Sequence, residues 1–285
     1  MSFRRERMWT VARTDLRQLF ESKDFWVPMA LLGVIFFLLV PFAILMIIVS
    51  VGNQQAVQQV SQALDLLPAS AKDAVPTVTS TGATVPPEAR VAYTIAVYLL
   101  SPVAVVVPLT ISSAIGASTI VGERERGTGE FLAHSPADTR EIYLGKLIAS
   151  LIPGYLTVIV GFGAYSILVN LVVGPKLGGW FFPNLPWLLL ITVVIPPFIA
   201  LALSLVLRLS ARVRSTAAAQ QATGLVTLPL ILIAYGQSTG ALIGQNAVGV
   251  TLILGGVAWL VAILALVTGL RSVKRSQLLG VANDQ

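Results

Sequence analysis

VAYTIAVYLLSPVAVVVPLTISSAIGASTIV, residues 91–121, followed at once by GERERGTGEFL, residues 122–132, is the stretch that decides the fold. Its first part holds no Asp, Glu, Lys or Arg. It exceeds the roughly 20 residues an α-helix needs to cross about 30 Å of hydrocarbon. Its second part carries the densest charge of the chain, alternating in sign from Glu123 to Arg126. A spanning helix that emerges into a polar island at the membrane face accommodates both. Helix rather than barrel strand follows from continuity, since a barrel strand is about ten residues of alternating polarity.

The same test applied outward finds five more charge-free apolar windows, residues 25–50, 147–173, 187–207, 216–236 and 248–270. Composition agrees: 55% of residues are hydrophobic and 11% charged, with a mean hydropathy of +0.83, whereas soluble domains are about one quarter charged. The expected fold is therefore all-α and membrane-integral. It has six transmembrane helices and an N-terminal interfacial helix in one domain, residues 1–285. So little chain lies outside the windows that no soluble catalytic domain fits. The absence of cysteine excludes disulfides, thiolate metal sites and Cys nucleophiles, and a single histidine excludes a His-based metal cluster. The first window is too long, and starts too late, for a cleaved signal peptide.

Charge sets the orientation. Of the 19 Lys and Arg residues, all but Lys72, Arg90 and Lys176 fall in residues 1–24, 122–146, 208–214 and 271–285. The positive-inside rule then places both termini and the 122–146 loop in the cytoplasm and residues 51–90 outside. The net charge of +6 thus reflects topology and contact with anionic lipid, not nucleic-acid binding, for which no aromatic-interleaved basic groove exists.

In residues 1–24, Met8, Ala12, Leu16 and Leu19 recur at helical spacing beside Trp9 and Phe20, with Arg5, Arg13, Arg17 and Glu21 on other faces. That predicts a helix lying in the interface, turning into the bilayer near residues 22–24, with Trp9 and Trp26 at headgroup depth. Outside, residues 54–67 space Val57, Val60 and Leu64 as a short amphipathic helix, and the Pro- and Thr-rich remainder to residue 90 predicts a flexible loop. Trp180, Phe181, Phe182 and Trp187 read as interfacial anchors. Residues 237–247, uncharged and glycine-containing, form the last external loop, a candidate for dipping into the membrane.

The 122–146 loop has internal order. Gly122 is expected to end the second span, and Gly127-Thr128-Gly129 permits a tight reversal before the apolar tip Phe131-Leu132. Ser135-Pro136-Ala137-Asp138 reads as a capping box that starts a helix running through Ile142 and Lys146 into the third span. His134 reads as a surface residue.

Glu123-x-Glu125-x-Gly127-Thr128, then Ser135-Pro136, then Arg140-Glu141-Ile142-Tyr143-Leu144-Gly145-Lys146, resembles the pattern that ATP-binding-cassette type-2 permeases carry between their second and third helices. The likeness extends to Ser210-Ala-Arg-Val-Arg-Ser215 and to the basic tail from Arg271, and covers nearly the whole chain. The last external loop is shorter than in family members with a folded re-entrant cap. The resemblance implies a type-2 exporter-like fold in a bacterial-type plasma membrane. It also implies a coupling interface to an ATPase subunit at Glu123, Arg124, Glu125, Arg126, Gly127, Thr128, Glu130, Phe131 and Leu132, and a connecting helix using Met8, Trp9, Arg13, Leu16, Arg17 and Phe20. The implied partners are two nucleotide-binding ATPase subunits, a second permease chain (the same or a related one) and membrane lipid. Residues at Gly-x-x-x-x-Gly-Lys-Ser/Thr spacing, which would hold nucleotide phosphates, are absent: Gly145-Lys146 is followed by Leu147, and Arg140 stands where the first glycine belongs. This chain is accordingly expected to bind no cofactor, with ATP and Mg²⁺ in the partner.

Polar residues at depth are the candidates for a translocation path: Thr110, Ser112 and Ser113 in the second span, and Thr223 and Thr227, with Gln220 and Gln221, in the fifth. Pro102 and Pro108 are expected to kink the second span and Pro229 the fifth. Spans without charges argue against a proton-coupled pump. Two other classes stand beside the permease reading. One is a membrane enzyme on lipid-like substrates using Glu123, Glu125, Glu130 or Asp138 as acids; the other is a non-transporting scaffold for the same ATPase.

Overall fold

The structure, a computed structural model, describes residues 4–50, 72–125, 135–210 and 247–272. Among these, regular structure is helical apart from one isolated antiparallel bridge between Val78 and Thr84. Helix α1, Arg5–Glu21, stops at Ser22, whose backbone is extended at φ −89° and ψ 111°. Helix α2 follows as Lys23–Val34, a π-helical turn Ile35–Leu39, and Val40–Ser50. Helix α3 is Pro87–Thr94 with a π-helical turn Ile95–Leu99, α4 is Val103–Glu125, and α5 is Thr139–Val172. After the single turn α6, Gly174–Leu177, helix α7 runs Leu185–Leu189, a π-helical turn Leu190–Val194, and Ile195–Ser210; α8 is Ala247–Ser272.

Among the described residues, five stretches are long and apolar enough to cross a membrane: Lys23–Val49, Pro87–Thr119, Thr139–Val172, Leu185–Arg208 and Val248–Arg271. They coincide with five of the windows read from the sequence. The window 216–236 lies outside the described residues, as do residues 54–67 and the last external loop before α8. Helix α5 packs on α1, α2, α4 and α7, and α7 packs on α8. In their apolar stretches α3–α4 and α7 are 67% buried within the chain, whereas α2 and α8 are 22% buried. The former are central, and the latter turn Leu31, Leu39, Ile253 and Leu260 outward. So much apolar surface on a water-soluble chain would drive aggregation; facing lipid, it is ordinary.

The second span is not a continuous helix, and it breaks at Pro102. Pro102 has no N–H to give Tyr98, and the π-helical turn sends the Leu100 N–H to Ile95 (3.0 Å). The Ser101 N–H turns to the Tyr98 carbonyl (3.3 Å), so carbonyls 96, 97 and 98 all lack their i+4 donors in a region where an unmet carbonyl is expensive. Side chains replace them: Tyr165 Oη donates to Ala96 (2.6 Å), Trp187 Nε1 to Val97 (3.0 Å) and Ser101 Oγ to Tyr98 (2.7 Å).

Four expectations are corrected by this geometry. Gly122 does not end the second span, because α4 continues to Glu125; one helical glycine costs only about 1 kcal/mol against alanine. Phe182 and Trp187 are not interfacial anchors: at 0% and 1% exposure they pack with Phe162 and Tyr165, and only Trp180, at 67%, stands free. Asn170 holds that aromatic turn inward, its Oδ1 accepting from the Phe181 and Phe182 N–H groups (2.9 and 3.1 Å) and its Nδ2 donating to the Phe182 carbonyl. Residues 72–90 are not a loose loop. Thr79 N–H meets the Ala83 carbonyl (2.7 Å) around Gly82, whose φ of +86° suits glycine, and Ser80 Oγ donates to the Gly178 carbonyl (2.6 Å). Buried Val75 and Val85 seat it on the bundle. The fourth correction concerns the start of α5.

Candidate functional site

Helix α5 does not start with Ser135 as its cap. Asp138 is the N-cap, with extended backbone (φ −77°, ψ 157°), and its partner in the capping box is Glu141. The Asp138 carboxylate accepts from Thr139 N (2.8 Å), and Glu141 accepts from Asp138 N (2.8 Å). A later start has a use: it leaves the Pro136 carbonyl free to accept from Arg7 Nη1 (2.7 Å). Buried Glu141 accepts a further bond from Arg4 N (2.7 Å), the residue that precedes α1. The first turns of α1 and α5 are thus joined through one carboxylate.

One turn on, Gly145 lets the two helices touch. A Cβ at this position would lie 2.8 Å from Val11 Cβ and 2.9 Å from the Met8 carbonyl oxygen. Next to it is Lys146, with 0% exposure between α1, α4 and α5. Its ammonium donates to the Thr119 carbonyl of α4 (2.8 Å) and lies 3.5 Å from Asp15 Oδ2 of α1. From the other side of α5, Tyr143 Oη reaches Ser204 Oγ on α7 (3.1 Å). Arg208, in the last turn of α7, donates to the Ala265 carbonyl and the Thr268 hydroxyl of α8. The end of the bundle that carries α1 is therefore cross-braced through all of α1, α4, α5, α7 and α8.

The outer side of α1 is different in kind. Trp9, Arg13, Arg17 and Phe20 are exposed, while Met8 and Leu16 are half-buried beside buried Ala12, Asp15 and Leu19. The predicted connecting-helix residues thus divide between an outward face and the rim of the seam. Arg17 Nε donates to Glu21 (2.7 Å), and that bond, with the attraction of the carboxylate, holds the guanidinium above its ordinary range.

Of the predicted coupling residues, Glu123, Arg124 and Glu125 form the last turn of α4, and Arg126, Gly127, Thr128, Glu130, Phe131 and Leu132 lie outside the described residues. Asp138, a candidate acid for the enzyme reading, spends its carboxylate on the α5 cap. The candidate path residues separate. Thr110 is exposed, its hydroxyl returned to the Val106 carbonyl (2.8 Å). Ser112 and Ser113 are buried, and Ser112 packs against Gly154 in the α4–α5 seam. Thr223 and Thr227, with Gln220 and Gln221, lie outside the described residues.

Asp15 and Lys146 escaped the sequence reading. Asp15 sits three residues after Ala12 and four before Leu19, on the inward face of α1, a place where an acid needs a partner. Lys146 is the last charge before the third apolar window. Together those positions were a signal.

Residues 9–274 match the family described as ABC-2 family transporter protein. The chain belongs to that family. The match begins within α1, at Trp9, and runs through α8, so Val11 and Asp15 of α1 and the braced α4–α5 junction fall inside the matched region. An ABC-2 family permease is the membrane component of a transporter and carries no ATPase site of its own, which agrees with the missing phosphate loop. With its apolar helices, membership makes the chain a multi-pass membrane protein with a transport role. No curated protein matches the chain.

Proposed function

We propose that this ABC-2 family chain is the permease subunit of an ATP-driven exporter in a bacterial-type plasma membrane. Both termini, α1 and the segment joining α4 to α5 lie in the cytoplasm. Two ATPase subunits, which hold ATP and Mg²⁺, seat against residues 123–132 and the outer face of α1, and two permease chains form the membrane unit. The sixth span falls in residues 216–236. The observation that carries the reading is the locking of α1 onto the first turns of α5 by Glu141, Gly145 and Lys146. A partner acting on α1 or on the α4–α5 segment thereby acts on the central helices. Thr110, exposed on α4, is a candidate for the path, which would then lie between permease chains.

The chain has no cysteine, so Trp180→Cys supplies a single site for a fluorophore at the exposed far end of the bundle. In the complex with its ATPase, ATP is expected to change that signal. Glu123→Gln with Glu125→Gln is expected to keep ATP hydrolysis while the signal change is lost. A double variant that responds like the parent contradicts the proposal.

A further inference from the structure

We infer that the Lys146 ammonium, held between the Asp15 carboxylate and the Thr119 carbonyl, is the tie that makes α1 and the adjoining ends of α4 and α5 move as one body, with Asp15 and Lys146 as positioning residues for transport. The mechanical part of this inference rests on the permease reading above; the tie itself does not.

Three elements converge on one nitrogen: α5 supplies Lys146, α1 supplies Asp15 at 3.5 Å and α4 supplies the Thr119 carbonyl at 2.8 Å. Thr119 is in the last turns of α4, and residues 126–134 connect that helix to α5, so both limbs of the connecting segment are gripped together with α1. Lys146 is fully buried and Asp15 is 8% exposed. A buried ion pair adds little net stability compared with apolar residues of the same volume, whereas removing one partner strands a charge. What such a pair adds is position. Lifting α1 alone would part Asp15 from Lys146, and sliding α4 alone would strip the Thr119 carbonyl, so either motion costs the buried ammonium a charge-assisted contact. Two further contacts act in the same direction: Glu141 holds Arg4 N, and Gly145 seats Val11 and the Met8 carbonyl. A push on any of the three elements therefore reaches the other two before they can slip.

Two measurements on the full-length chain test this. In the first, nitroxides are placed on cysteines at Thr14 and Arg140, both exposed, one on α1 and one at the start of α5. The parent is expected to give one narrow distance distribution, and Asp15→Asn a broad one. Asp15→Leu with Lys146→Met, which removes the ammonium together with its carboxylate, is expected to stay broad, and a narrow distribution in that variant would overturn the tie. A broad distribution in the parent, or an unchanged one in Asp15→Asn, overturns the tie whether or not an ATPase is present. In the second, Asp15→Asn is introduced beside the Trp180→Cys fluorophore in the complex with its ATPase. The ATP-driven signal is expected to fall by at least about fivefold, with hydrolysis per complex within about twofold of the parent. A merely structural pair would lower the yield of complex and leave the response of each surviving complex intact, which would overturn the positioning role. A parent complex that hydrolyses ATP with no signal change would instead overturn the permease reading, and the nitroxide result would stand on its own.

Discussion

Replacing Gly145 by alanine tests the α1–α5 junction most sharply. The added Cβ would sit 2.9 Å from the Met8 carbonyl oxygen and 2.8 Å from Val11 Cβ and Cγ1. Two of these three atoms are the α1 backbone oxygen and a branch point next to that backbone, so no side-chain rotation relieves the clash. The helix itself must move by a few tenths of an ångström or more. Overpacking of this kind costs about 1–3 kcal/mol, which corresponds to roughly a 5- to 150-fold rise in the equilibrium constant for undocking α1. The shift also draws Asp15 away from Lys146, which is already at 3.5 Å, so the upper part of that range is expected. Hydrogen exchange of the α1 amides is the assay, because it reads the opening of that helix directly. Two comparisons isolate the cause. Gly163→Ala, in the same helix, has nothing within 4 Å of its new Cβ and is expected to leave α1 exchange unchanged. Val11→Ala in the Gly145→Ala background is expected to rescue little, since Met8 oxygen and the Cβ of residue 11 remain in the way. Exchange in Gly145→Ala within about twofold of the parent would refute the reasoning, because a clash worth more than about 0.5 kcal/mol would then be absent.

Further consequences lie elsewhere in the bundle. Trp187→Phe keeps the ring packing but leaves the Val97 carbonyl without its 3.0 Å donor; a loss of about 1–3 kcal/mol is expected, read as a lower melting temperature of the purified chain in detergent. Ser112→Ala is expected to be neutral or slightly stabilising in the same assay, since Ser112 Oγ is buried without a hydrogen-bond partner. Gly154→Ala should be severely destabilising, and not rescued by Ser112→Ala, because the new Cβ would also meet Ser112 Cβ at 2.9 Å and the Pro108 oxygen at 3.0 Å. At the other end of the bundle, Lys176→Met is expected to cost more than Glu88→Gln. Lys176 bonds both Glu88 (3.2 Å) and the Val49 carbonyl (3.0 Å), whereas the ion pair alone, half-exposed, is worth at most about 1 kcal/mol; equal melting shifts would sink that ranking.

The positions of the spans were legible because hydrocarbon tolerates no unpaired charge, so charge-free windows mark helices almost by themselves. Where a helix runs on beyond its charge-free window, as expected for the third, the charges are satisfied: α5 starts at Thr139, and Glu141 and Lys146 each find partners inside the protein. The start of α5 was half legible. Asp138-Thr-Arg-Glu141 fits a capping box as well as Ser135-Pro-Ala-Asp138 does, and the choice between them rests on Arg4 and Arg7, more than 120 residues away. Trp187 looked like an anchor because aromatic residues at a span's edge usually are; its burial goes with the Val97 carbonyl of another helix, left open where the Ser101 N–H turns to Tyr98. The inward-facing Asp15 was visible as a break in the apolar stripe of α1, but its partner Lys146 could only be named once α1 had been placed. Of the candidate coupling surface, the last turn of α4 and the docking of α1 are on view.

The central claim is that a separate ATPase drives this ABC-2 family chain, and affinity capture of the tagged chain from its native membrane in mild detergent, with peptide mass spectrometry of what comes with it, tests it most directly. The account predicts an equimolar second protein carrying Gly-x-x-x-x-Gly-Lys-Ser/Thr. Recovery of the chain without such a protein, after gentle crosslinking in the membrane, would contradict it.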